Sequence, residues 1–277
     1  MRECLWPRPS RKVDERSQQV NYSVPKLFHR LSILLFALLA AIAQPAFAGP
    51  PYETDDPDPT AYRNYEIYFF TEYHRVGPNI DVGSIGTLEA NYGLLPNTQF
   101  SVTIPGAFAP QAAGTRYGLG DIEIALKYRF VPEDAGRPQI SFYPAVTLAT
   151  GDPATGLGEG RGTLFLPLWA QKSYGSWTIF GGCGLQLDRE DGHFASWREG
   201  LAVTRDLSDA TNVGVEVYRS TQNAMAPQGY TDLGVGIIQG IGKYHAIVAS
   251  FGRSLAPSSF HGYAAYEWRL GPQGKDK

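Results

Sequence analysis

The sequence predicts an all-β protein, a transmembrane antiparallel up-and-down β-barrel of about 12 strands that follows a cleaved signal peptide. Three features predict this class: an N-terminal export signal, short segments that alternate between apolar and polar residues, and connections that alternate in length. Successive side chains of a β-strand point to opposite faces, so the alternation supplies one face for lipid and one for a polar lumen.

The clearest two-faced segment is residues 120–130. Its even positions are apolar or aromatic: Ile122, Ile124, Leu126, Tyr128 and Phe130. Four of its odd positions are charged: Asp121, Glu123, Lys127 and Arg129. Soluble β-sandwiches rarely place a row of charges opposite an uninterrupted apolar row, whereas a membrane-spanning barrel strand does so because its two faces meet lipid and lumen.

The N-terminus predicts export. An apolar run of 13 residues, 31–43, follows Lys26 and Arg30 and precedes the small-x-small sequence Ala46-Phe47-Ala48. A transmembrane helix needs about 20 apolar residues, so this run is short for a membrane span. Residues 1–48 are therefore predicted to be a signal peptide, and an uncleaved inner-membrane anchor is the alternative.

The composition of the remaining chain narrows the function. Residues 1–48 hold 7 of the 24 basic and 3 of the 27 acidic residues, which leaves 17 against 24 and a net charge of −7. No basic patch indicates a nucleic-acid partner. Because Cys183 is then the only cysteine, no internal disulfide can form, and closure of a barrel in lipid must supply the stability.

The pattern predicts twelve strands, near 63–73, 81–92, 98–108, 119–131, 138–149, 163–173, 176–186, 195–206, 211–220, 229–240, 244–252 and 260–270. Five short turns alternate with six looser loops, which is the layout of an outer-membrane barrel with its turns on the periplasmic side. An even number of strands places both termini in the periplasm. In the eighth segment Glu199 shares a face with Trp197 and Leu201, which predicts a bulge or a misplaced boundary.

Segments outside the strands have their own predictions. Residues 49–62 are acidic and rich in proline, 63–270 form the barrel, and 271–277 are a tail. The acidic residues of the first segment are Glu53, Asp55, Asp56 and Asp58. They favour a solvated or lumen-plugging segment, because their spacing is not that of a calcium-binding loop, which is the alternative. The glycines at 156, 158, 160 and 162 favour a mobile extracellular loop, since no helix pattern follows them.

Several short segments, which follow one another in a fixed order along the chain, resemble those of a known family. They are 50–57 (PPYETDDP), 89–93 (EANYG), 117–123 (YGLGDIE), 127–130 (KYRF), 151–152 (GD), 156–158 (GLG), Arg161 and 166–173 (LPLWAQKS). Together they resemble the bacterial outer-membrane proteins of the MetA-pathway phenol degradation family, over nearly all of residues 50–270. The resemblance implies a barrel that passes aromatic or other small hydrophobic compounds. The polar tail after Leu270 departs from the aromatic terminus by which the barrel-assembly machinery commonly recognises its substrates.

The inward faces of the predicted strands form the candidate site. The predicted lumen residues are Glu66, Tyr68, Phe70, Glu72, Glu89, Asp121, Glu123, Lys127, Arg129, Glu216, Tyr218, Asp232, Glu267 and Arg269. The charged members are either an ion-pair lattice that braces the wall or a pore lining that selects solutes by charge, and the two roles can coexist. Eight carboxylates against three bases favour cations. Glu66, Glu89 and Glu216 have no basic neighbour on their own strands and are expected to matter most.

No catalytic site, metal site or cofactor is predicted. Only Asp191 near His193 suggests a catalytic pair, and Cys183 has no recognisable redox partner. The predicted function is a channel or transporter for small, aromatic or hydrophobic solutes in the bacterial outer membrane, with membrane lipid, the assembly machinery and a small solute as partners. A barrel enzyme of the lipase or protease kind and a structural barrel without transport are the alternatives.

Overall fold

The computed structural model describes residues 51–75, 81–111, 114–188, 195–221, 229–255 and 259–272. Within these ranges the chain is almost entirely β-structure, with one short 3-10 turn at Pro153–Thr155. No helix in the described part of the chain is long and apolar enough to cross a membrane. The predicted signal peptide lies outside the described residues.

Fifteen β-segments form twelve transmembrane strands. The segments are β1 (Tyr65–Arg75), β2 (Asp81–Leu95), β3 (Thr98–Ile104), β4 (Gly106–Gln111), β5 (Gly114–Leu119), β6 (Ile122–Val131), β7 (Gln139–Phe142), β8 (Ala145–Leu148), β9 (Thr163–Tyr174), β10 (Trp177–Asp188), β11 (Ser196–Ser208), β12 (Thr211–Ser220), β13 (Tyr230–Ile241), β14 (His245–Ser254) and β15 (Phe260–Leu270). Three transmembrane strands are interrupted, and each consists of two segments: β3 with β4, β5 with β6, and β7 with β8.

Each strand pairs antiparallel with its neighbours, and the first strand closes the ring against the last. In that closure Tyr65 lies opposite Leu270 and Arg75 lies opposite Phe260, without a register shift. The predicted twelve-stranded antiparallel barrel is therefore confirmed. Closure leaves no unpaired strand edge, which is a requirement for spanning lipid with β-structure.

Two local predictions are wrong. The predicted loop 109–118 is largely strand, because β4 and β5 pair from Gly106↔Leu119 to Gln111↔Gly114 as an extended hairpin. Of the two explanations predicted for Glu199, a bulge or a misplaced boundary, the bulge is absent, since β11 pairs in continuous register with β10 from residue 196 to 205. A shift occurs instead between Asp206 and Ser208, against β12. The strand boundary does differ, because β11 runs from Ser196 to Ser208 rather than from 195 to 206.

The barrel is apolar outside and polar inside. Large exposed side chains on the outer face include Phe69, Tyr128, Leu168, Val235 and Trp268. Buried side chains on the inner face include Gln99, Lys127, Thr204, Glu216 and Glu267. This inversion of the usual distribution is expected for a barrel whose outer face meets hydrocarbon.

The loop around residue 158 is predicted to face outside and the turn at 133–137 to face the periplasm. A side chain at Gly158 would collide with Asp121 at 2.6 Å, so the exposed residues Ala154 and Ala135 are better labelling positions. In a Cys183→Ser background, we expect an impermeant thiol reagent to label Ala154→Cys on whole cells and to spare Ala135→Cys. Labelling of the second position alone would show the inverted topology.

Candidate functional site

Residues 51–62, hereafter the plug segment, cross the lumen from one wall to the opposite one. At one end, Tyr62 pairs with Gly93 of β2, and the Thr60 hydroxyl donates to Glu66 at 2.8 Å. At the other end, the amides of residues 53 and 54 donate to the Glu216 carboxylate on β12 at 3.2 and 3.0 Å. The Thr60 amide also donates to Gln99 of β3 at 2.7 Å. Because β12 lies six strands from β3 in a ring of twelve, the plug segment spans the interior.

Two cations of β6 hold the middle of the plug segment. The Lys127 ammonium lies 3.1 Å from the Asp55 carboxylate and donates to the carbonyl of Asp56 at 2.8 Å. The Arg129 guanidinium pairs with Asp58. Lys127 is only 4% exposed, so its charge depends on these partners. Asp121 and Glu123 share the strand face of these bases but do not pair with them, because the ion pairs are made by the plug segment.

Glycines on the inner face of three adjacent strands make room for the plug segment. A Cβ atom at Gly200 would lie 2.1 Å from Thr54 Oγ1, and one at Gly214 would lie 2.5 Å from the Tyr52 hydroxyl. A Cβ atom at Gly236 would lie 2.5 Å from Pro51. Glycine weakens a strand unless another group approaches closely, so these positions are the sequence signal for a segment packed against the wall.

The carboxyl group of Asp56 is buried within the plug segment, where it accepts the Asp58 amide. Burial raises the pKa of Asp56 to about 7, while the Lys127 ammonium opposes this shift and the neighbouring Asp55 and Asp58 add to it. The plug segment therefore carries a group that titrates near neutral pH.

The plug segment leaves a cavity of about 270 Å³ between itself and the wall made by β1, β2, β6 and β15. Eight carboxylates line this cavity against one lysine: Glu53, Asp55, Asp56, Asp58, Glu66, Glu72, Glu89 and Glu123 against Lys127. Aromatic rings of Tyr68, Phe70, Tyr143 and Tyr263 also face it. The lumen thus has a cavity that is both acidic and aromatic.

The structure distributes the predicted lumen residues over different surroundings. The residues at the cavity are Glu66, Tyr68, Phe70, Glu72, Glu89, Glu123 and Lys127. Arg129 does not line the cavity; it is hydrogen-bonded to Asp58 and to Asn97 of the turn between β2 and β3. Glu216 binds the plug segment, and the Tyr218 ring lies 6.3 Å from that of Tyr230. Glu267 pairs with Arg269 at 2.5 Å, an arrangement that braces the wall.

Asp121 has a different environment from the one expected. Its carboxylate accepts the amides of Gly151 at 2.8 Å and Glu159 at 2.6 Å. The loop that its glycines predict to be mobile is therefore anchored to the wall. No pattern within 151–162 could reveal this, because the anchor is about 30 residues earlier in the chain.

A second polar cluster joins Asp232 to His261 and Ser254. The Ser254 hydroxyl donates to the Asp232 carboxylate, whose other oxygen lies 3.3 Å from His261 Nδ1. A catalytic serine must bond to the imidazole, whereas here serine and histidine both bond to the aspartate. The suggested pair Asp191 and His193 lies outside the described residues. Among the described residues, no three His, Cys, Asp or Glu side chains are grouped to hold a metal ion.

The closed barrel, with its apolar outer face and polar interior, defines a bacterial outer-membrane protein. The chain belongs to the family described as "Putative MetA-pathway of phenol degradation", whose profile matches residues 44–270. A comparison with curated protein sequences finds no match.

Solved structures share the fold. An outer membrane channel from Pseudomonas putida F1 superposes with a TM-score of 0.61 at 15% identity, over 81% of this chain and 100% of that one. The KdgM porin superposes with a TM-score of 0.54 at 8% identity, over 73% of this chain and 98% of that one. KdgM in complex with disordered oligogalacturonate gives 0.53 at 7% identity, over the same shares.

Proposed function

We propose that the protein is a channel for small solutes, aromatic or hydrophobic in character, whose path is narrowed by the plug segment. The observation that carries this proposal is the plug segment itself: it crosses a polar lumen on ion pairs and leaves a cavity of about 270 Å³ beside it. The family description and the shared fold of an outer membrane channel support the same conclusion.

Charge in the lumen favours cations. Ion pairs with the plug segment use both bases of β6, Lys127 and Arg129, and Arg269 is paired with Glu267. The remaining wall carboxylates, Glu72, Glu89 and Glu123, face the cavity. Within the described residues, none of them forms an ion pair with a lysine or an arginine. A narrow, low-dielectric passage focuses the field of such groups, so cations concentrate there.

Planar-bilayer recordings test the channel and its selectivity together. We expect discrete conductance steps with cations preferred over anions, and a reversal potential that moves toward zero in Glu89→Gln. Glu66 and Glu216 are less suitable for this test, because both accept hydrogen bonds from the plug segment and their replacement would also loosen it.

The same purified protein should show no esterase or protease turnover. Its gel mobility before and after boiling, the usual sign of a closed barrel, should be unchanged in the variant. A folded protein without conductance, whose deletion leaves the uptake of aromatic compounds unaffected, would contradict the channel and favour the enzyme or structural alternatives.

A further inference from the structure

One part of the cavity wall is a row of polar side chains at a single level of the barrel. Glu89 of β2 lies opposite Thr103 of β3, and Thr103 lies opposite Glu123 of β6. All three face the cavity. Neighbouring strands are about 4.8 Å apart, so the backbones that carry the two glutamates are separated by roughly 10 Å. A small molecule fits between carboxyl groups placed in this way.

Within the described residues the carboxylates of this wall make no ion pair, although the charges of Lys127 and Arg198 act on Glu89 and Glu123 through space. The Glu89 carboxylate accepts a hydrogen bond from the side-chain amide of Asn91 at 2.7 Å, and the Glu123 carboxylate accepts one from the hydroxyl of Thr147. Within the described residues, the side chain of Glu72, which lies at the level of Tyr263, makes no hydrogen bond or ion pair. These carboxylates are half-buried, and a carboxylate withdrawn from water without an ion-pair partner attracts either a proton or a cation.

Asn91 supplies an independent sign of a ligand. The side chain is 4% exposed and lines the cavity, yet its oxygen Oδ1 has no hydrogen-bond partner. Because its nitrogen donates to Glu89, the free atom is the acceptor. The hydroxyl of Tyr263, also at the cavity, is unpartnered as well. Buried polar atoms in folded proteins are nearly always paired, so a free acceptor indicates a missing donor.

Aromatic rings complete the wall. The rings of Phe70 and Tyr263 lie 5.2 Å apart and face the same cavity. In the same lumen the Lys127 ammonium lies 4.6 Å from the centre of the Tyr143 ring, so an ammonium held by carboxylate and ring together already occurs here. A cavity of about 150 Å³ is known to hold a benzene molecule, and this one is larger.

We propose that Glu89, Asn91 and Glu123, with Phe70 and Tyr263, bind an organic ammonium ion that carries one aromatic ring. The ammonium group lies between Glu89 and Glu123 and donates to Asn91 Oδ1, and the aromatic ring packs against Phe70 and Tyr263, which lie further along the wall. This assignment rests on the proposed channel for the route by which the ligand arrives, and it gives that channel a substrate class.

Benzylammonium is the probe, and benzyl alcohol is its neutral counterpart of nearly equal size. Calorimetric titration of the purified protein in detergent at neutral pH should show saturable binding of benzylammonium, and binding of benzyl alcohol at least tenfold weaker. Glu89→Gln and Glu123→Gln should each weaken benzylammonium binding at least fivefold. Glu199→Gln is the matched control, because that glutamate is exposed on the outer face of β11, and it should bind as the unchanged protein does.

Gel mobility before and after boiling shows whether each variant is folded. Equal affinity for benzyl alcohol, or unchanged affinity in both folded variants, would overturn the proposal. Calcium binding that is lost in the same variants, without benzylammonium binding, would make the cavity a metal site and overturn it too. Conductance of the same preparation separates the two proposals, since a protein that conducts without binding the probe refutes the site and leaves the channel.

Discussion

Exchanging both Asp55 and Asp58 for Asn is expected to raise the single-channel conductance by roughly an order of magnitude, because it removes both ion pairs that hold the plug segment. Removing one partner of a buried pair costs about 3–5 kcal/mol, since the other charge is left unpaired. Lys127 is buried when the plug segment is seated, whereas it can be hydrated when the segment leaves the lumen. The change therefore favours the unseated state.

The matched control is Asp81→Asn, which breaks a single ion pair of similar geometry with Arg75 at 2.8 Å. Both of its partners are more than 40% exposed, and such pairs contribute little to stability. We expect its conductance to equal that of the unchanged protein. If the double variant also conducts as the unchanged protein does while remaining folded, then the plug segment does not control the path.

The barrel could be predicted from the sequence because its determinants are local. Alternation along β6 places Ile124 and Tyr128 outside and Glu123 and Lys127 inside, whatever the rest of the chain does. The strand prediction was least accurate where it depended on composition instead of on the alternation of apolar and polar residues. Around Pro110 the proline and glycines indicated a loop, yet the backbone there continues to pair with Thr115 beyond the region where lipid imposes a pattern.

The partners inside the lumen could not be predicted, because they are distant in sequence. Asp55 and Lys127 are 72 residues apart, and the nearest acidic residue to Lys127 along the chain, Glu123, is not its partner. The sequence allowed residues 49–62 to plug the lumen but did not say where. The glycines at 200, 214 and 236 could have located the contact, since each faces inward at a position where a side chain would collide with the plug segment.

The partners of the lumen charges explain why these charges have two roles. Glu267 and Arg269 satisfy each other within one strand and stiffen the wall. Lys127 and Arg129 instead pair with the plug segment. Within the described chain, the backbone joins this segment to the barrel at one end, through Asn64 and β1. A pair of this second kind can break without opening the barrel, which is what a controlled path requires.

Raising the pH from 5 to 7 is expected to increase the conductance, with no further rise from the same cause above pH 7. The carboxyl pKa of Asp56 is raised to about 7 when the plug segment is seated, whereas an aspartate in water has a pKa of about 3.9. Between these values the seated state holds a proton that the released state does not. The stability that this proton supplies is fully present below pH 4 and is lost as the pH rises through 7, by at most about 1.4 kcal/mol per pH unit.

The comparison that isolates this group is Asp56→Asn, which cannot ionise and keeps an oxygen able to accept the Asp58 amide. Other carboxyl groups of the lumen titrate in both proteins, so the difference between the two conductance profiles reports Asp56 alone. We expect the variant to remain closed at pH 7 and 8, where the unchanged protein opens, and to match it at pH 4 and below. Parallel conductance profiles across the whole pH range would show that the charge on Asp56 does not act on the plug segment. The Lys127 ammonium, which donates to the Asp56 carbonyl, would then compensate that charge fully.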